Sequence, residues 1–263
     1  MGAEPMLVEN RDGVLWVTLN RPERLNALDN DLIGRLRTLF RDLYRRRDVR
    51  VVVLRGAGRA FCSGLDLKDY DFDEERDIGS LLDHQRDISE IVIAMRRCPQ
   101  PIVAMVQGAA SGGGFALALA SDVRLATADA RFNAAFIRLG LSACDIGVSY
   151  FLPRMIGSSI ASELMLTGDF LDAERSVTLG LVSRIVAEDA LAGEAEAVAG
   201  RMLAATPVGL RLTKEALNHA IDAQGLEATI AMEDRNQVIC AKDRNFEEGV
   251  KAFLEKRKPV YRT

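Results

Sequence analysis

The clearest structural signal in this chain is Pro101-Ile-Val-Ala-Met-Val-Gln-Gly-Ala-Ala-Ser-Gly-Gly-Gly-Phe-Ala-Leu-Ala-Leu-Ala-Ser-Asp122. It predicts a buried strand over residues 102–106, a glycine loop, and a buried apolar helix that opens near Gly112. Glycines at a helix entrance let a ligand approach the backbone, and the first amides of a helix have no intrahelical partner. Those amides lie at the positive end of the helix dipole and favour a negatively charged oxygen. A tight packing turn is the alternative interpretation.

A second stretch, residues 51–68, has the same organisation. It begins with the β-branched run Val51-Val-Val-Leu54 and continues through glycines into Phe61-Cys-Ser-Gly-Leu-Asp66. Both runs are typical of strands buried in an α/β sheet. Two strand–loop units with accessible backbone are able to direct two amides at one bound oxygen, which is the arrangement of an oxyanion hole.

The remaining pattern predicts an α/β fold that ends in helices. The pattern predicts a hairpin with strands over residues 7–9 and 14–19. It predicts an amphipathic helix over residues 30–47, capped by Asp29 or Asn30. An acidic surface loop is predicted over residues 69–79. A helix is predicted over residues 80–97. From about residue 189 every segment is helical, over residues 188–205, 207–223, 226–240 and 245–257. We therefore predict a core over residues 1–195 and a helical region over residues 196–263.

Composition excludes several classes of protein. The 263 residues carry a net charge of −4, with 48% hydrophobic and 27% charged residues, and show no concentrated basic face for nucleic acid. No uninterrupted apolar stretch predicts a membrane span, and the N-terminus has no signal-peptide pattern. Four scattered cysteines and two histidines argue against a metal site and favour a reduced, cytoplasmic protein.

Together these stretches resemble the crotonase superfamily, also called the enoyl-CoA hydratase/isomerase family. The matching pieces run in order over nearly the whole chain: Leu19-Asn-Arg-Pro-Glu-Arg-Leu-Asn-Ala27, Ala60-Phe-Cys-Ser-Gly-Leu-Asp-Leu67, Gln107-Gly-Ala-Ala-Ser-Gly-Gly-Gly114, Ser121-Asp-Val-Arg-Leu-Ala126, Leu152-Pro-Arg-Met-Ile-Gly157, Gly180-Leu-Val182 and Glu248-Gly-Val-Lys-Ala-Phe-Leu-Glu-Lys-Arg257. The resemblance implies a spiral of ββα units with a helical tail that assembles trimers or hexamers. It also implies an enzyme of acyl-CoA, as in fatty acid metabolism, with no cofactor apart from the coenzyme A of its substrate.

The resemblance also assigns residues to the site. It places the oxyanion-hole amides at Leu65 and Gly113, where they would hold the thioester oxygen as an enolate forms. It places coenzyme A along two segments, with Arg24, Leu25 and Ala27 at the pantetheine and phosphates and Leu65, Asp66, Leu67 and Lys68 at the adenine. Without the motif, Arg24 and Lys68 are better interpreted as surface cations.

The acid/base residues depart from the family pattern. A typical hydratase of the family has two glutamates that activate water, and this chain has Ala116 and Phe136 at those positions, where they would line the acyl group. Neither side chain can accept a proton. Asp145 remains as a single carboxylate among apolar and small residues, where burial would raise its pKa toward that of a useful base. The alternative is that Asp145 caps a helix beginning near Gly147.

Four functions follow from this site. One carboxylate suits double-bond isomerisation, in which a proton leaves one carbon and returns to another. Hydration remains open if Asp145 activates water alone. A non-catalytic acyl-CoA-binding protein is a third interpretation, because Ala116 and Phe136 remove the usual machinery. A thioester hydrolase or dehalogenase with Asp145 as nucleophile is the fourth.

Overall fold

A computed structural model describes residues 4–68, 77–223 and 225–262. The strands are β1 (Met6–Arg11), β2 (Val14–Leu19), β3 (Val51–Gly56), β4 (Ile102–Val106), β5 (Ala109–Ser111), β6 (Val123–Ala126), β7 (Arg131–Asn133), β8 (Leu171–Asp172) and β9 (Arg184–Ile185). The helices are α1 (Asn30–Asp42), α2 (Ile78–Arg97), α3 (Gly113–Ala120), α4 (Val148–Ile156), α5 (Ser158–Thr167), α6 (Ala173–Thr178), α7 (Leu191–Leu203), α8 (Pro207–Ala220), α9 (Leu226–Lys242) and α10 (Arg244–Leu254).

The main sheet brings the two glycine loops to one edge. Its strand order is β1-β2-β3-β4-β6-β9, with β1 and β2 antiparallel and the other neighbours parallel. Because β3 and β4 are adjacent and parallel, the loops that follow them leave the same edge, where α/β sheets commonly bind ligands. A smaller sheet, β5-β7-β8, begins directly after β4 and continues this edge.

The structure confirms three predictions that depend on only a few neighbouring residues: the hairpin, the cap of α1 and strand β4. The hairpin between β1 and β2 turns at Asp12 and Gly13, with φ angles of +49° and +88°, as a two-residue turn of this kind requires. Asp29 caps α1, since its carboxylate accepts from the amide of Leu32 at 2.8 Å. Strand β4 has the predicted bounds.

Of the loop predicted over residues 69–79, residues 69–76 lie outside the described residues. Its last part is not loop, because α2 begins at Ile78, two residues before the predicted start. Asp77 caps this helix through a hydrogen bond from the amide of Ser80 at 3.0 Å. The acidic end of the predicted loop is therefore a helix cap.

The strand residues divide the core into two clusters on opposite faces of the main sheet. Val52 and Leu54 of β3 join the cluster formed with α1, α2 and α3, whereas Val51 and Val53 join the cluster covered by α7. This alternation follows from the two-residue repeat of a strand, and both faces are apolar because both are buried. The predicted boundary between residues 195 and 196 falls inside α7, and the division into two regions stays a prediction.

The C-terminal helices are less enclosed than the core. Lys214 attaches α8 to the core, since its Nζ atom donates to the carbonyl of Gln100 at 2.8 Å. Helix α9 buries none of its side chains and exposes apolar ones, among them Val238 and Ile239. No helix within the described residues is long and apolar enough to cross a membrane.

Candidate active site

The two glycine loops are joined by backbone hydrogen bonds. The amide of Cys62 donates to the carbonyl of Ala109 at 3.0 Å, and the amide of Ser111 donates to the carbonyl of Cys62 at 3.0 Å. The contact leaves no space for a side chain at residue 114, because a Cβ atom there would lie 2.1 Å from the carbonyl oxygen of Cys62. The first turn of α3 is thus fixed against the loop after β3.

The amide of Leu65 points away from Leu28, the residue with which Leu65 forms an isolated parallel β-bridge. Leu28 bonds to the residues on either side of Leu65, since its amide donates to Gly64 at 2.7 Å and its carbonyl accepts from Asp66 at 3.0 Å. In a parallel pairing this leaves the N–H of Leu65 on the opposite side. Within the described ranges this N–H donates to no protein atom.

Gly113 supplies a second unpaired amide beside the first. It is the first residue of α3, whose opening amides have no intrahelical carbonyl. The amide of Gly113, too, donates to no atom of the described residues. The Cα atom of Gly64, which precedes Leu65, lies 3.7 Å from the position of a Cβ atom on residue 113. Two unpaired amides therefore lie on loops in direct contact.

Apolar side chains surround these amides. The Cδ1 atoms of Leu28 and Ile146 lie 2.9 Å and 3.7 Å from the Cβ position of Gly113, and the ring of Phe136 lies 3.5 Å from that of Gly112. Such walls exclude water and lower the local dielectric constant, which strengthens an interaction between an amide and a charged oxygen.

Asp145 is half-buried beside this wall. Its Oδ1 atom accepts from the amide of Ile146 at 2.8 Å and from Nε2 of Gln85 at 2.6 Å. Burial raises the pKa of Asp145 above its usual value, although these two hydrogen bonds oppose the change. The side chain does not cap α4, because Gly147 is the N-cap and only the carbonyl of Asp145 accepts, from Val148 at 2.9 Å. The capping alternative is therefore wrong for the carboxylate.

Ile146 has an unusual backbone conformation between the carboxylate and the glycines. Its φ angle is +35°, in a region that β-branched residues rarely adopt. In this conformation its amide bonds to Asp145 while its side chain reaches Gly113. The strained residue thus connects the carboxylate to the amides, and such strain is commonly found at functional sites.

The carboxylate of Asp66 ties two segments together. It pairs with Arg21 at 2.9 Å, and Arg21 also pairs with Asp29 at 3.0 Å and donates to the carbonyl of Ala27 at 2.5 Å. Burial alone would raise the pKa of Asp66, but Arg21 and the amide of Lys68 hold it below the usual value. Asp66 is therefore ionised and engaged with protein groups.

The other residues predicted for coenzyme A lie along the same two segments. Arg24 and Leu25 are half-buried, and their carbonyls accept from Ser63 at 3.5 Å and 3.0 Å. Leu67 and Lys68 are exposed beyond Asp66. The fold thus brings the two predicted segments together into one surface next to Leu65.

A cavity of about 910 Å³ lies where the end of α1 meets α8 and α10. Its lining includes Arg45, Arg50 and Arg211, and none of the glycine-loop residues. It opens near the start of β3 and β4, whereas the unpaired amides follow the ends of these strands. The candidate active site is therefore the glycine-loop cluster.

Comparison with known proteins identifies the family of this chain. The sequence model of the family described as enoyl-CoA hydratase/isomerase matches residues 9–263. The chain belongs to the enoyl-CoA hydratase/isomerase family. It is 41% identical to a probable enoyl-CoA hydratase of Mycobacterium bovis over 97% of this chain and 92% of that protein. It is 34% identical to the 1,2-epoxyphenylacetyl-CoA isomerase of Escherichia coli over 95% of each chain.

A solved structure has the same fold. The crystal structure of a probable enoyl-CoA hydratase/isomerase from Mycobacterium abscessus superposes with a TM-score of 0.90, at 40% identity over 98% of this chain and 99% of that one. The predicted crotonase-like α/β fold and the predicted acyl-CoA enzyme of the enoyl-CoA hydratase/isomerase family are both confirmed.

The two positions at which the resemblance predicts hydratase glutamates, residues 116 and 136, are apolar and buried. Ala116 is fully buried one turn into α3, and Phe136 is buried against Gly112. Cys62 is no substitute, because burial raises the pKa of its thiol to about 12. Within the described residues no cluster of histidine, cysteine, aspartate and glutamate could hold a metal ion.

Sequence reasoning missed three contributors to this site. Arg21 lies in the N-terminal motif, and its role depends on two carboxylates from separate segments. Gln85 lies 60 residues before its partner Asp145. The left-handed conformation of Ile146 has no sequence signal. Gln85 does carry one, because it stands on the same helical face as the buried residues Ile88 and Val92.

Proposed function

We propose that this protein converts 3-enoyl-CoA thioesters to 2-enoyl-CoA thioesters through an enolate, with Asp145 as the single acid/base. The proposal rests on one arrangement, in which the unpaired amides of Leu65 and Gly113 lie on touching loops and Ile146 connects them to the carboxylate. The isomerase of Escherichia coli among the relatives supports an isomerisation.

The two amides would stabilise the charge that develops on the thioester oxygen. Removing a proton from the carbon beside the carbonyl moves electron density onto that oxygen, and the amides of Leu65 and Gly113 are fixed before the reaction begins. Loss of one such donor typically costs about 3 to 4 kcal/mol of transition-state stabilisation. The side chain of Leu65 takes no part in this interaction.

Asp145 would move one proton between two carbons. As the ionised base it takes a proton from C2 of the 3-enoyl group, and the electron pair delocalises over C2, C4 and the thioester oxygen. Protonated Asp145 then returns the proton to C4, which leaves the double bond between C2 and C3. A pKa raised by burial suits both halves of this exchange.

Coenzyme A would lie on the surface formed by the two joined segments. We propose that Arg24, Leu25 and Ala27 line the pantetheine and phosphates and that Leu67 and Lys68 border the adenine. Asp66 would contribute by holding the segments together through Arg21, since its carboxylate already binds that guanidinium. Coenzyme A is part of the substrate in this proposal, and no other cofactor is required.

The protein would act as a homo-oligomer, a trimer or a hexamer. The apolar residues exposed on α9 and α10, including Val238, Ile239 and Phe253, support self-association, because monomers rarely expose large contiguous apolar patches. A cytoplasmic location stays a prediction from the sequence.

Acyl-CoA binding without turnover is the second candidate. It is favoured by Ala116 and Phe136, which place apolar side chains where a hydratase of the family carries glutamates. Hydration by Asp145 alone is the other outcome that the experiment below separates.

The test is product analysis in deuterated water with a 3-enoyl-CoA and with crotonyl-CoA. We expect a 2-enoyl product that carries deuterium only to the extent that protonated Asp145 exchanges with the solvent before it returns the proton to C4. Addition of water would instead raise the mass by that of water and identify hydration. Asp145→Asn is the matched variant, expected to lose turnover by a factor of about a hundred or more and to retain thioester binding. Unchanged turnover in this variant would exclude Asp145 as the base, and tight binding without turnover in the native protein would establish the second candidate.

A further inference from the structure

Gln85 makes the one side-chain hydrogen bond to Asp145 within the described part of the chain. Its Nε2 atom donates to Oδ1 of Asp145 at 2.6 Å. The second bond to Oδ1 comes from the amide of the next residue, Ile146, at 2.8 Å. Both bonds therefore hold the same carboxylate oxygen, and Oδ2 accepts no hydrogen bond from the described residues.

Gln85 is carried by a helix face that packs on the loop of Asp145. Gln85, Ile88 and Val92 are spaced three and four residues apart along α2, so that they share one face. The Cγ1 atom of Val92 lies 3.5 Å from the Cβ position of Gly147, two residues after Asp145. Ile88 and Val92 are both buried, which fixes the rotation of α2 and the direction of Gln85.

We propose that Gln85 is a positioning residue that holds Oδ1 of Asp145, so that Oδ2 faces the reacting carbon. The inference rests on the proposed function, in which Asp145 moves a proton between two carbons of an enoyl-CoA. With Oδ1 engaged twice and Oδ2 unengaged, only one oxygen is available to take the proton. A fixed oxygen reduces the orientational freedom that the reaction would otherwise have to remove.

The neutral amide of Gln85 suits this task better than a cation would. A lysine or arginine at this distance would favour the ionised carboxylate strongly and weaken it as a base. Burial raises the pKa of Asp145, and the hydrogen bonds from Ile146 and Gln85 lower it. Within the described residues no charged side chain from α2, α3 or α4 contributes to this balance.

The variants Gln85→Met and Gln85→Glu test the proposal in the full-length protein. Methionine keeps the length of the side chain without the donor, and glutamate keeps its shape with a carboxylate in place of the amide. Arg86→Lys is the control. Arg86 is the next residue on α2 and is exposed, and the substitution preserves its positive charge. The unfolding midpoint of each variant shows whether the fold is retained.

Two measurements are made on each protein. The first is the titration of the Asp145 carboxyl carbon by NMR, assigned by its loss in Asp145→Asn. The second is the pH profile of kcat and KM for isomerisation of a 3-enoyl-CoA. We expect the titration midpoint and the acid limb of kcat to move to higher pH in both Gln85 variants. We expect kcat at its optimum to fall about tenfold with KM changed less than twofold, because a hydrogen bond to a charged group is lost and Gln85 does not touch the substrate.

Each outcome decides the proposal. A midpoint and a kcat like those of the native protein in both variants would overturn it, as would a lower kcat that follows only a lower unfolding midpoint. If the midpoint moves in the Gln85 variants but the native protein turns over no thioester, the proposed function is refuted and the Gln85 contact has only a structural role. Arg86→Lys is expected to match the native protein in both measurements.

Discussion

The carbonyl oxygen of Cys62 occupies the place that a side chain on Gly114 would need, 2.1 Å from the Cβ position. Glycine is required there because the first turn of α3 and the loop after β3 are in direct backbone contact. The separation of the amides of Leu65 and Gly113 depends on this contact, so a methyl group at residue 114 would affect a site that it does not line.

Gly114→Ala should therefore reduce both stability and activity. Forcing a backbone shift in a packed region lowers the free energy of unfolding by about 2 to 3 kcal/mol. A shift of about 1 Å at the amides would lower the isomerisation rate by about a hundredfold. Urea unfolding and the deuterium assay measure the two effects.

Gly193→Ala is the matched control for that substitution. Gly193 lies inside α7, and no heavy atom of the described residues outside its own helix lies within 4 Å of its Cβ position. Alanine there should raise the free energy of unfolding by about 0.5 to 1 kcal/mol and leave the rate unchanged. Equal losses at residues 114 and 193 would contradict the role assigned to the contact with Cys62.

Asp145→Asn should make the fold more stable at neutral pH. Burial raises the pKa of Asp145 above its value in the unfolded chain, so the folded state favours the protonated form. The stability contributed by this group is fully present below the unfolded pKa and is lost as pH rises through the folded pKa. The unfolding midpoint of the variant should exceed that of the native protein at pH 8, and the difference should shrink as the pH falls toward 3.8, the pKa of an unperturbed aspartate. The exposed Asp83→Asn serves as control, and a difference that is independent of pH would contradict the prediction.

Lys214→Met should detach α8 from the core. Lys214 is 4% exposed, its Nζ atom lies 3.0 Å from a carboxylate oxygen of Asp122, and it donates to the carbonyls of Met95 and Gln100. Removing a buried cation of this kind typically costs about 3 kcal/mol. Asp122 keeps Arg96, whose Nη1 atom lies 3.1 Å from its Oδ1 atom, so the loss falls mainly on the buried carbonyls of Met95 and Gln100 that lose their donor. Lys242→Met, at an exposed position of α9, should change the free energy of unfolding by less than about 0.5 kcal/mol. Similar values for the two variants would contradict this assignment.

A double substitution on α9 should dissociate the proposed oligomer. Val238 and Ile239 are 62% and 52% exposed, and aspartate at both positions would place two charges in an apolar interface. Sedimentation velocity should show a trimer or hexamer for the native protein and smaller species for Val238→Asp/Ile239→Asp. Gln237→Asp on the same helix is the control for added charge. A native protein that sediments as a monomer would refute the oligomer.

The elements that the sequence predicted well are those specified by neighbouring residues. Strand β4, the hairpin turn at Asp12 and Gly13, and the cap of α1 at Asp29 each depend on a few adjacent side chains. The predicted start of α2 is two residues late, because the pattern assigns Asp77 to the acidic loop and does not identify it as the N-cap of the helix.

The contacts around Asp145 could not be predicted in this way. Gln85 and Asp145 are 60 residues apart, and their contact depends on how α2 rotates against the loop. The conformation of Ile146 runs against its own backbone preference, and only the surrounding structure can impose it. The residues of the site were identifiable from motifs, whereas their orientation required the assembled fold.

The amide of Leu65 belongs to the backbone, so no replacement of that side chain except by proline removes it. In the proposed reaction, backbone amides bind the thioester oxygen. Side chains such as those at residues 116, 136 and 145 determine which reaction follows. Mutation can therefore exchange one reaction for another while the hold on the thioester persists. A scaffold of this kind can change its reaction in small steps, each of which still binds the same class of molecule.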